Sequence, residues 1–521
     1  MSIAHAACAI LLCALAYLWS RRARVQGIHQ GLNTLNLPRL GARYGKAVIC
    51  GSGIAGLLAA QTCLTHFEQV VLIDPEFTKT MSGTLKSRVM QYHSIHHYMF
   101  LFVDGLRRLW PSFEEAADAA GRTSYPGDSG MFIDGTYIPS LVEDQTPSLN
   151  MRRAALEPLL HSLLVDGQLD PETRKRLTIL EGTVRGLKLC SGATRASAVH
   201  GKLVDESDFA VEDIDLMIDC TGRAQYGAKW LEDKGPRRIA YSPNLRFSTV
   251  AFTAPEELYS GLPIPERHRS ELISFTPKMG ASQSRPGLWG VVYAKQDNGT
   301  AVLTFFARGP GPMPKTAEDI LPAVRSLVFS KPVPTWFLDM VGLLVEDGSP
   351  AISSLQFSEC FWLQYHKSRG SNLPSNFIAV GDAVAVINPI FGQGCGKAMA
   401  DILLLDRMLR HDSGITSPTF STRFFRDQAK HIQPMWDMTK AFDYGKSTTQ
   451  PSNGETLNNI NERMTRWVAG VFHHAAKGDK HVAHTLWLSR HLLASGTELL
   501  KPAFLIRVLW ANVVTRETKA L

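Results

Sequence analysis

Three glycines in the segment 51–56 (GSGIAG) have the spacing of a turn that holds the phosphates of a dinucleotide. Gly51 allows a tight turn, Gly53 lets the backbone approach a pyrophosphate, and Gly56 lets the following helix pack closely on the preceding strand. The helix that begins here would direct its first N–H groups at the phosphate charge. The spacing alone is also compatible with a glycine-rich turn in an α/β unit that binds no cofactor.

Two apolar runs, at residues 46–50 and 70–73, flank this turn and its helix. Runs of this length predict buried parallel strands. Asp74 ends the second run, where a carboxylate accepts hydrogen bonds from a ribose diol. Strand, turn, helix, strand and acid together predict a dinucleotide-binding unit.

A second glycine-rich segment lies far downstream. Residues 376–380 form an apolar run that leads into Gly381 and Asp382, and the segment 388–396 (NPIFGQGCG) precedes a helix-like stretch at residues 397–409. A strand that delivers an acid beside a glycine-rich helix start suits a phosphate or a sugar. The two segments predict one cofactor site that is assembled from distant parts of the chain.

Together the two segments resemble the FAD-dependent group A aromatic hydroxylases, which include para-hydroxybenzoate hydroxylase and, more distantly, squalene epoxidase. The resemblance covers most of residues 44–412 and implies FAD as the cofactor. It implies that Asp382 binds the ribityl hydroxyl groups of FAD. It also implies that Pro389, Gly392 and Gly394 place a helix N-terminus at the flavin ring, where the helix dipole stabilises an anionic reduced flavin.

Two further segments bear on the resemblance. Residues 153–157 (RAALE) resemble a helix start of the family, which implies that Arg153 lies near the FAD phosphates or ribityl chain; the alternative is an exposed helix arginine. Thr221 and Gly222 stand where the hydroxylases have Asp-Gly. Because that motif touches both FAD and NADPH in the family, the departure bears on direct reduction by a nicotinamide.

Three histidines, His93, His96 and His97, have a helical spacing that is compatible with a zinc site. No HExxH motif and no cysteine pair accompanies them, so we predict no metal site. The resemblance places this segment beside the flavin, which makes Gln91 and His96 candidates for the substrate pocket. No side chain is predicted to be catalytic, because the cofactor carries the chemistry.

The expected function is that of an FAD-dependent monooxygenase. NADPH or NADH would reduce the flavin, and oxygen would add to it as a C4a-hydroperoxide. That species would hydroxylate or epoxidise a lipophilic substrate, such as a prenylated, terpenoid or polyketide-like compound. The alternatives are a halogenase, a prenyl reductase, a redox-neutral cyclase, or a membrane-tethered flavin-binding protein without activity. The W-x-W-x-I-P motif of flavin halogenases is absent from the sequence.

The composition is that of an ordinary globular protein, with 45% hydrophobic and 20% charged residues among 521. The formal net charge is +7 and no long basic block is present, which argues against nucleic acid as a partner. The eight cysteines form no CxxC pair, and this pattern predicts reduced thiols rather than a disulfide framework. The oligomeric state is not predicted.

The N-terminal residues 1–24 are predicted to be a membrane anchor. Residues 3–19 are apolar and almost uncharged, and Arg21, Arg22 and Arg24 follow at once. Positive charge after the apolar run favours a single-pass helix over a cleaved signal peptide. The rest of the chain would then face the cytosol, at the endoplasmic reticulum in a eukaryote, and a lipophilic substrate would fit this location.

The predicted fold class is α/β, with a discontinuous Rossmann-like FAD-binding domain, an antiparallel β substrate domain and a C-terminal helical region. The Asn-Gly pair at 298–299, between two β-rich runs, predicts a type I′ hairpin in the substrate domain. The predicted boundaries are 1–24 for the anchor, 25–43 for a linker, 44–240 and 356–412 for the two parts of the FAD domain, 241–355 for the substrate sheet and 413–521 for the helical region.

Overall fold

A computed structural model describes most of the chain from residue 28 onwards. The described ranges are 28–35, 37–86, 89–123, 129–138, 149–166, 170–190, 192, 194–231, 235–269, 271–277, 286–368, 373–411, 414–494 and 496–517. The six cysteines within these ranges are all free.

Strands and helices alternate in the first half of the chain, and helices dominate its end. The strands are β1 (Tyr44–Cys50), β2 (Phe67–Ile73), β3 (Ser129–Ile133), β4 (Thr136–Ile138), β5 (Leu177–Leu180), β6 (Gly182–Leu189), β7 (Ala196–Leu203), β8 (Asp208–Glu212), β9 (Leu216–Asp219), β10 (Arg238–Tyr241), β11 (Leu245–Thr253), β12 (Leu272–Thr276), β13 (Gly287–Lys295), β14 (Thr300–Arg308), β15 (Ser349–Phe357), β16 (Cys360–Leu363), β17 (Phe377–Ala379) and β18 (Ala385–Val386). The helices are α1 (Ile54–His66), α2 (Phe77–Met81), α3 (Phe100–Leu109), α4 (Phe113–Ala119), α5 (Arg153–Val165), α6 (Pro171–Lys175), α7 (Tyr226–Trp230), α8 (Glu256–Gly261), α9 (Glu266–Arg269), α10 (Ala317–Arg325), α11 (Thr335–Asp347), α12 (Gly394–Leu409), α13 (Phe420–Asp443), α14 (Ile460–Ala476), α15 (Lys480–Arg490) and α16 (Pro502–Glu517).

Five parallel strands form the sheet that carries the first glycine-rich turn, in the order β17-β9-β1-β2-β5. β9 and β17 are wholly buried, as expected for a parallel sheet that is covered on both faces. In the register of the sheet, Asp219 of β9 stands between Cys50 of β1 and Ala379 of β17. The residues that follow these three strands therefore meet at one carboxyl edge of the sheet, although the sequence separates them widely.

A seven-stranded sheet lies apart from the parallel one, in the order β15-β11-β14-β13-β12-β3-β4. Its pairs are antiparallel except for β12 with β3. β13 and β14 form the predicted hairpin, and its central residues Asn298 and Gly299 have φ of 50° and 65°. Positive φ at both positions is the mark of a type I′ turn, which confirms this prediction. Two strands of the sheet, β3 and β4, come from within residues 44–240.

The last four helices, α13 to α16, form the helical C-terminal region. Phe424, Phe425 and Trp436 of α13 are buried in the main core, and α14 to α16 share a smaller core that includes Val482 and Phe504. Parallel sheet, antiparallel sheet and helical region together confirm the predicted α/β fold class.

The predicted single-pass membrane localisation is wrong for the part of the chain that the structure describes. In those residues no helix combines the length and the apolar character that crossing a bilayer requires. Residues 1–24, to which the anchor was assigned, lie outside the described ranges.

Candidate functional site

Two close backbone approaches shape the turn after β1. Gly51 has a φ of +105°, and a Cβ atom on it would lie 2.5 Å from the carbonyl oxygen of Cys220. A Cβ atom on Gly56 would lie 1.8 Å from the carbonyl oxygen of Gly51, so α1 packs directly against the turn. Gly53, the N-cap of α1, supplies no side-chain cap. Within the described part of the chain, the first N–H groups of α1 therefore have no cap from this residue and can bond to a ligand in the cavity that Gly51 and Gly53 line.

Asp74 closes this turn from the end of β2. Its carboxylate accepts hydrogen bonds from the backbone N–H groups of Ser52 at 2.9 Å and Glu76 at 2.8 Å. The ammonium group of Lys86 lies 3.5 Å from the same carboxylate and 3.5 Å from that of Glu157. Asp74 thus holds the turn together, and it also lines the cavity, where the sequence predicted a ribose contact.

Arg153 begins α5 and lines the same part of the cavity. Its Nε donates to Glu157 at 2.7 Å, and its Nη1 donates to the side chain of Gln91. Burial raises the pKa of Glu157, but Arg153 and Lys86 outweigh burial, and the pKa lies below its usual value. Glu157 is therefore a buried anion that fixes two cations. Sequence reasoning missed Lys86 and Glu157, and the i, i+4 spacing of Arg153 and Glu157 was the available signal.

His96 stands in the adjoining wall of the cavity. Its Nδ1 lies 2.9 Å from the carbonyl oxygen of Ser94, and its ring stacks on Tyr98 with 5.6 Å between centroids. Burial and the Arg153 guanidinium lower the pKa of His96 to about 4, so the ring is neutral near neutral pH. His96 can therefore offer a neutral hydrogen-bonding group to a ligand. Within the described ranges no group of three His, Cys, Asp or Glu side chains could hold a metal ion.

Asp219 lies at the end of β9, between the two glycine-rich segments. Its carboxylate accepts from the N–H of Thr221 at 2.8 Å, the hydroxyl of Thr221 at 2.7 Å and the N–H of Gly227 at 3.0 Å. Burial outweighs these hydrogen bonds and raises the pKa of Asp219 to about 6. Thr221, where the chain departs from the hydroxylase pattern, thus shapes the loop that carries Gly222 and Arg223 along the cavity.

The raised pKa of Asp219 gives a pH-dependent contribution to stability. Between the ordinary carboxyl pKa and about 6, the folded protein binds more protons than the unfolded chain, so this contribution is complete at low pH and is lost as the pH rises through about 6. Asp219→Asn lacks this titration. We therefore expect the free energy of unfolding of the variant minus that of wild type to be about 2 kcal/mol higher at about pH 7.5 than at about pH 4.5. Urea denaturation of both proteins at the two pH values measures this, and a constant difference would contradict it.

Gly381 and Asp382 follow β17 beside this loop. The N–H of Gly381 donates to Asp401 of α12 at 2.8 Å, and Asp401 lies 2.7 Å from the ring of His431 in α13. The side chain of Asp382 is 34% exposed, and its carboxylate lies 3.6 Å from the ammonium group of Lys397. Lys397 is buried, and its Nζ has no hydrogen-bond acceptor among the described residues. The ion pair with Lys397 leaves part of the Asp382 carboxylate open to the cavity that Asp382 lines.

The loop before α12, together with Gly381 and Asp382, forms what we call the second cradle of the site; the first cradle is the turn at residues 51–56. The side chain of Asn388 accepts from the N–H of Ile390 at 3.0 Å and caps the short turn that begins at Pro389. Gly392 reverses the chain with a φ of +67°, and α12 begins at Gly394 without a side-chain cap. Among the described residues no side chain of the N-cap bonds to α12, so a second helix N-terminus lines the same cavity.

A cavity of about 1520 Å³ connects the two cradles. Pockets for one small ligand are about 300–1,000 Å³, so this volume suits two molecules bound together. Other parts of the cavity lining come from the seven-stranded sheet and from α13 to α15. Gly56 supports the first cradle from outside the lining, and the other sequence-predicted residues all line the cavity: Gly51, Gly53, Asp74, Gln91, His96, Arg153, Gly381, Asp382, Pro389, Gly392 and Gly394.

Several solved structures share this architecture. The flavin-dependent brominase Bmp2 matches 92% of this chain and all of its own at 12% identity, with a TM-score of 0.55. p-Nitrophenol 4-monooxygenase PnpA from Pseudomonas putida matches 87% of this chain and all of its own at 14% identity, also with a TM-score of 0.55. This chain shares its fold with both enzymes. A flavoprotein/dehydrogenase from Cytophaga hutchinsonii shares it over 91% of this chain, at 11% identity and a TM-score of 0.57.

Sequence comparison adds one relative, Protein Rv3254 of Mycobacterium tuberculosis. It is 25% identical over 441 residues, which cover 79% of this chain and 83% of the relative. No family model matches the sequence.

The residues of the site fit a dinucleotide flavin. Side chains larger than hydrogen are excluded at Gly51 and Gly56, two helix N-termini are uncapped, and Asp382 has a carboxylate oxygen open to the cavity. The N-terminus of α1 suits the pyrophosphate and that of α12 suits an electron-rich ring edge.

Proposed function

We propose that this chain is an FAD-dependent monooxygenase that hydroxylates or epoxidises an apolar organic substrate, with NADPH or NADH as the electron donor. The observation that carries the proposal is the pair of uncapped helix N-termini, of α1 and α12, which open into one cavity with room for a second molecule. A structural α/β unit without a cofactor has no need of either feature.

In this proposal, five residues in or beside the two cradles bind the phosphates and sugars of FAD. Gly51 and Gly53 admit the pyrophosphate to the N-terminus of α1, Asp74 and Asp382 accept hydrogen bonds from sugar hydroxyl groups, and Arg153 offsets phosphate charge. FAD, when bound, supplies the electron transfer and oxygen activation. The protein supplies orientation and excludes water, since apolar side chains such as Phe247, Phe306 and Phe442 form part of the cavity lining.

The nicotinamide donor is proposed to bind transiently. The sequence contains one GxGxxG motif, at residues 51–56, which suits one permanently bound dinucleotide. Thr221 replaces the acid that the resembled hydroxylases carry, and its hydroxyl is engaged by Asp219 at 2.7 Å. Reduction is therefore expected to depend on bound substrate, which would complete the site that the nicotinamide meets.

The test follows the visible flavin band of the purified protein under anaerobic NADPH or NADH, with and without candidate substrates. A monooxygenase is expected to bleach and then, on admission of air, to recover with an oxygenated product. Bleaching that is reversed by saturation of a substrate double bond without oxygen would identify a reductase instead. Because Bmp2 shares the fold, a parallel reaction with bromide tests halogenation, and a brominated product would overturn the proposal.

Replacement of Asp382 tests the second cradle. Asp382→Asn keeps the shape of the side chain and removes its charge, so we expect the Kd for FAD to rise about 10- to 100-fold, the value of one hydrogen bond to a charged group. Asp339→Asn, on the exposed face of α11, is the matched control and should leave the Kd unchanged. Fluorescence titration of apoprotein with FAD measures both. Equal affinities in the two variants would exclude Asp382 as a cofactor ligand.

A further inference from the structure

The cavity extends from the two cradles into the helical C-terminal region. One face of α14 lines it, and the lining residues recur at helical spacing: Thr465, Ala469, Phe472 and Ala476. The neighbouring helix α15 contributes Ala483, Leu486 and Trp487 to the same lining. Neither helix carries a residue of the two cradles, so this part of the cavity, which we call the helical lobe, is available to a second molecule.

The helical lobe begins beside the second cradle, because the end of α15 lies against the start of α12. A Cβ atom on Gly396, in the first turn of α12, would lie 3.0 Å from the Cδ1 atom of Leu492, which follows α15. The N–H of Phe100 donates to the Nδ1 of His491 at 3.1 Å, and the ring of Phe100 packs against Trp487 with 5.1 Å between centroids. A molecule in the lobe can therefore reach the place where the proposed chemistry occurs.

The far end of the helical lobe lies at the turn that joins α14 to α15. This turn has only residues 477–479, so the two helices run antiparallel and their other ends approach α12. Between Thr465 and Ala476, α14 rises about 16 Å over about three turns. An extended hydrocarbon chain of about 12 to 14 carbons has that length, at about 1.2 Å per bond, which is one third of the span of an extended residue.

The lining of the helical lobe is mostly apolar. Its polar members on the two helices are Thr465, His473, Ser489 and Arg490. The Nδ1 of His473 lies 2.7 Å from the carbonyl oxygen of Ala469, and burial lowers the pKa of His473, so its ring is neutral near neutral pH. Arg490 ends α15 and therefore lies at the end of the lobe that is nearest to α12. The middle and the far end of the lobe suit methylene groups rather than a charged group.

We propose that the helical lobe binds the linear apolar chain of a substrate whose reacting end lies at the second cradle. The assignment of this ligand as the substrate rests on the proposed monooxygenase function, whereas binding of the chain does not. Phe472 and Leu486 are half-buried, so a bound chain would cover apolar surface inside the cavity. A compact ring system would leave the far end of the lobe, at Ala476 and Ala483, uncovered, and for this reason a linear chain is favoured.

The test is calorimetric titration of the full-length protein with the linear alcohols 1-octanol, 1-decanol and 1-dodecanol. Each methylene that becomes buried should tighten binding about 4-fold, so we expect the affinity of wild type to keep rising up to 1-dodecanol. Ala476→Phe fills the far end of the lobe. We expect this variant to bind 1-dodecanol about 10- to 100-fold more weakly and 1-octanol as wild type does. Ala503→Phe, at an exposed position of α16, is the matched control and should bind both alcohols as wild type does.

Three results would overturn the helical lobe as a chain-binding site. The affinity of wild type could stop rising at 1-octanol, Ala476→Phe could weaken both alcohols equally, or Ala503→Phe could weaken 1-dodecanol as strongly as Ala476→Phe does. The first of these needs no variant, so the series with wild type decides even if Ala476→Phe does not fold. A protein that binds 1-dodecanol as expected but takes up no FAD would refute the monooxygenase proposal and leave the chain-binding site in place.

Discussion

Gly56→Ala is expected to yield protein without bound FAD. The added Cβ atom would lie 1.8 Å from the carbonyl oxygen of Gly51 and 3.4 Å from the Cβ atom of Cys220, and the first of these neighbours is backbone. The clash can be relieved only if α1 moves away from β1, which dismantles the turn and displaces the N-terminus of α1. We expect the free energy of unfolding to fall by about 1–3 kcal/mol. The folded fraction should nevertheless carry no FAD, because the displaced N-terminus of α1 no longer meets the pyrophosphate.

Gly342→Ala is the matched control for this substitution. Gly342 lies inside α11, and a Cβ atom on it would meet nothing within 4 Å. Removal of a glycine from a helix interior stabilises by about 0.5–1 kcal/mol, so this variant should keep its FAD and melt slightly higher than wild type. The ratio of flavin to protein absorbance, with thermal melts, measures both variants. A Gly56→Ala protein with the wild-type flavin ratio would refute residues 51–56 as the pyrophosphate cradle.

The sequence was informative where one residue type has one physical use. A short apolar run predicts a buried strand because a parallel sheet is covered on both faces, and β1, β2 and β17 coincide with the runs at residues 46–50, 70–73 and 376–380. Gly51, Gly53 and Gly56 are recognisable because backbone approaches of this kind exclude a side chain. The hairpin at Asn298 and Gly299 was predictable because the type I′ turn requires positive φ at both positions.

The sequence was uninformative where function depends on charges that meet through the fold. Lys86 and Glu157 have no local pattern that relates them, and Arg308 reaches Asp443 across 135 positions of the chain. The hairpin of β3 and β4 was not predicted, although Asp134 and Gly135 between them, with φ of 54° and 72°, are an available Asp-Gly turn signal. Its membership of the large sheet could not be predicted, because β3 pairs in parallel with β12, a contact between distant parts of the chain. The N-terminal apolar run predicted an anchor from its hydrophobicity and from the arginines that follow it. No helix in the described ranges is long and apolar enough to cross a membrane.

Asp443→Ala is expected to cause the largest loss of stability. The carboxylate is fully buried and joins three elements, because it accepts from Arg308 at the end of β14, from Asn388 in the loop before α12 and from Tyr241 at the end of β10. Its removal leaves the Arg308 guanidinium buried without a counter-ion and two further donors without an acceptor. We expect the free energy of unfolding to fall by about 3–5 kcal/mol, measured by urea denaturation.

Asp437→Ala separates this loss from a general effect on α13. Asp437 is exposed on the same helix and, among the described residues, accepts from Gln433, four residues earlier, so its replacement should change stability by less than about 0.5 kcal/mol. Arg308→Met combined with Asp443→Leu removes both charges. This double variant should recover much of the loss, because it no longer contains a buried guanidinium without a counter-ion. If the double variant is no more stable than Asp443→Ala, the penalty comes from Asn388 and Tyr241.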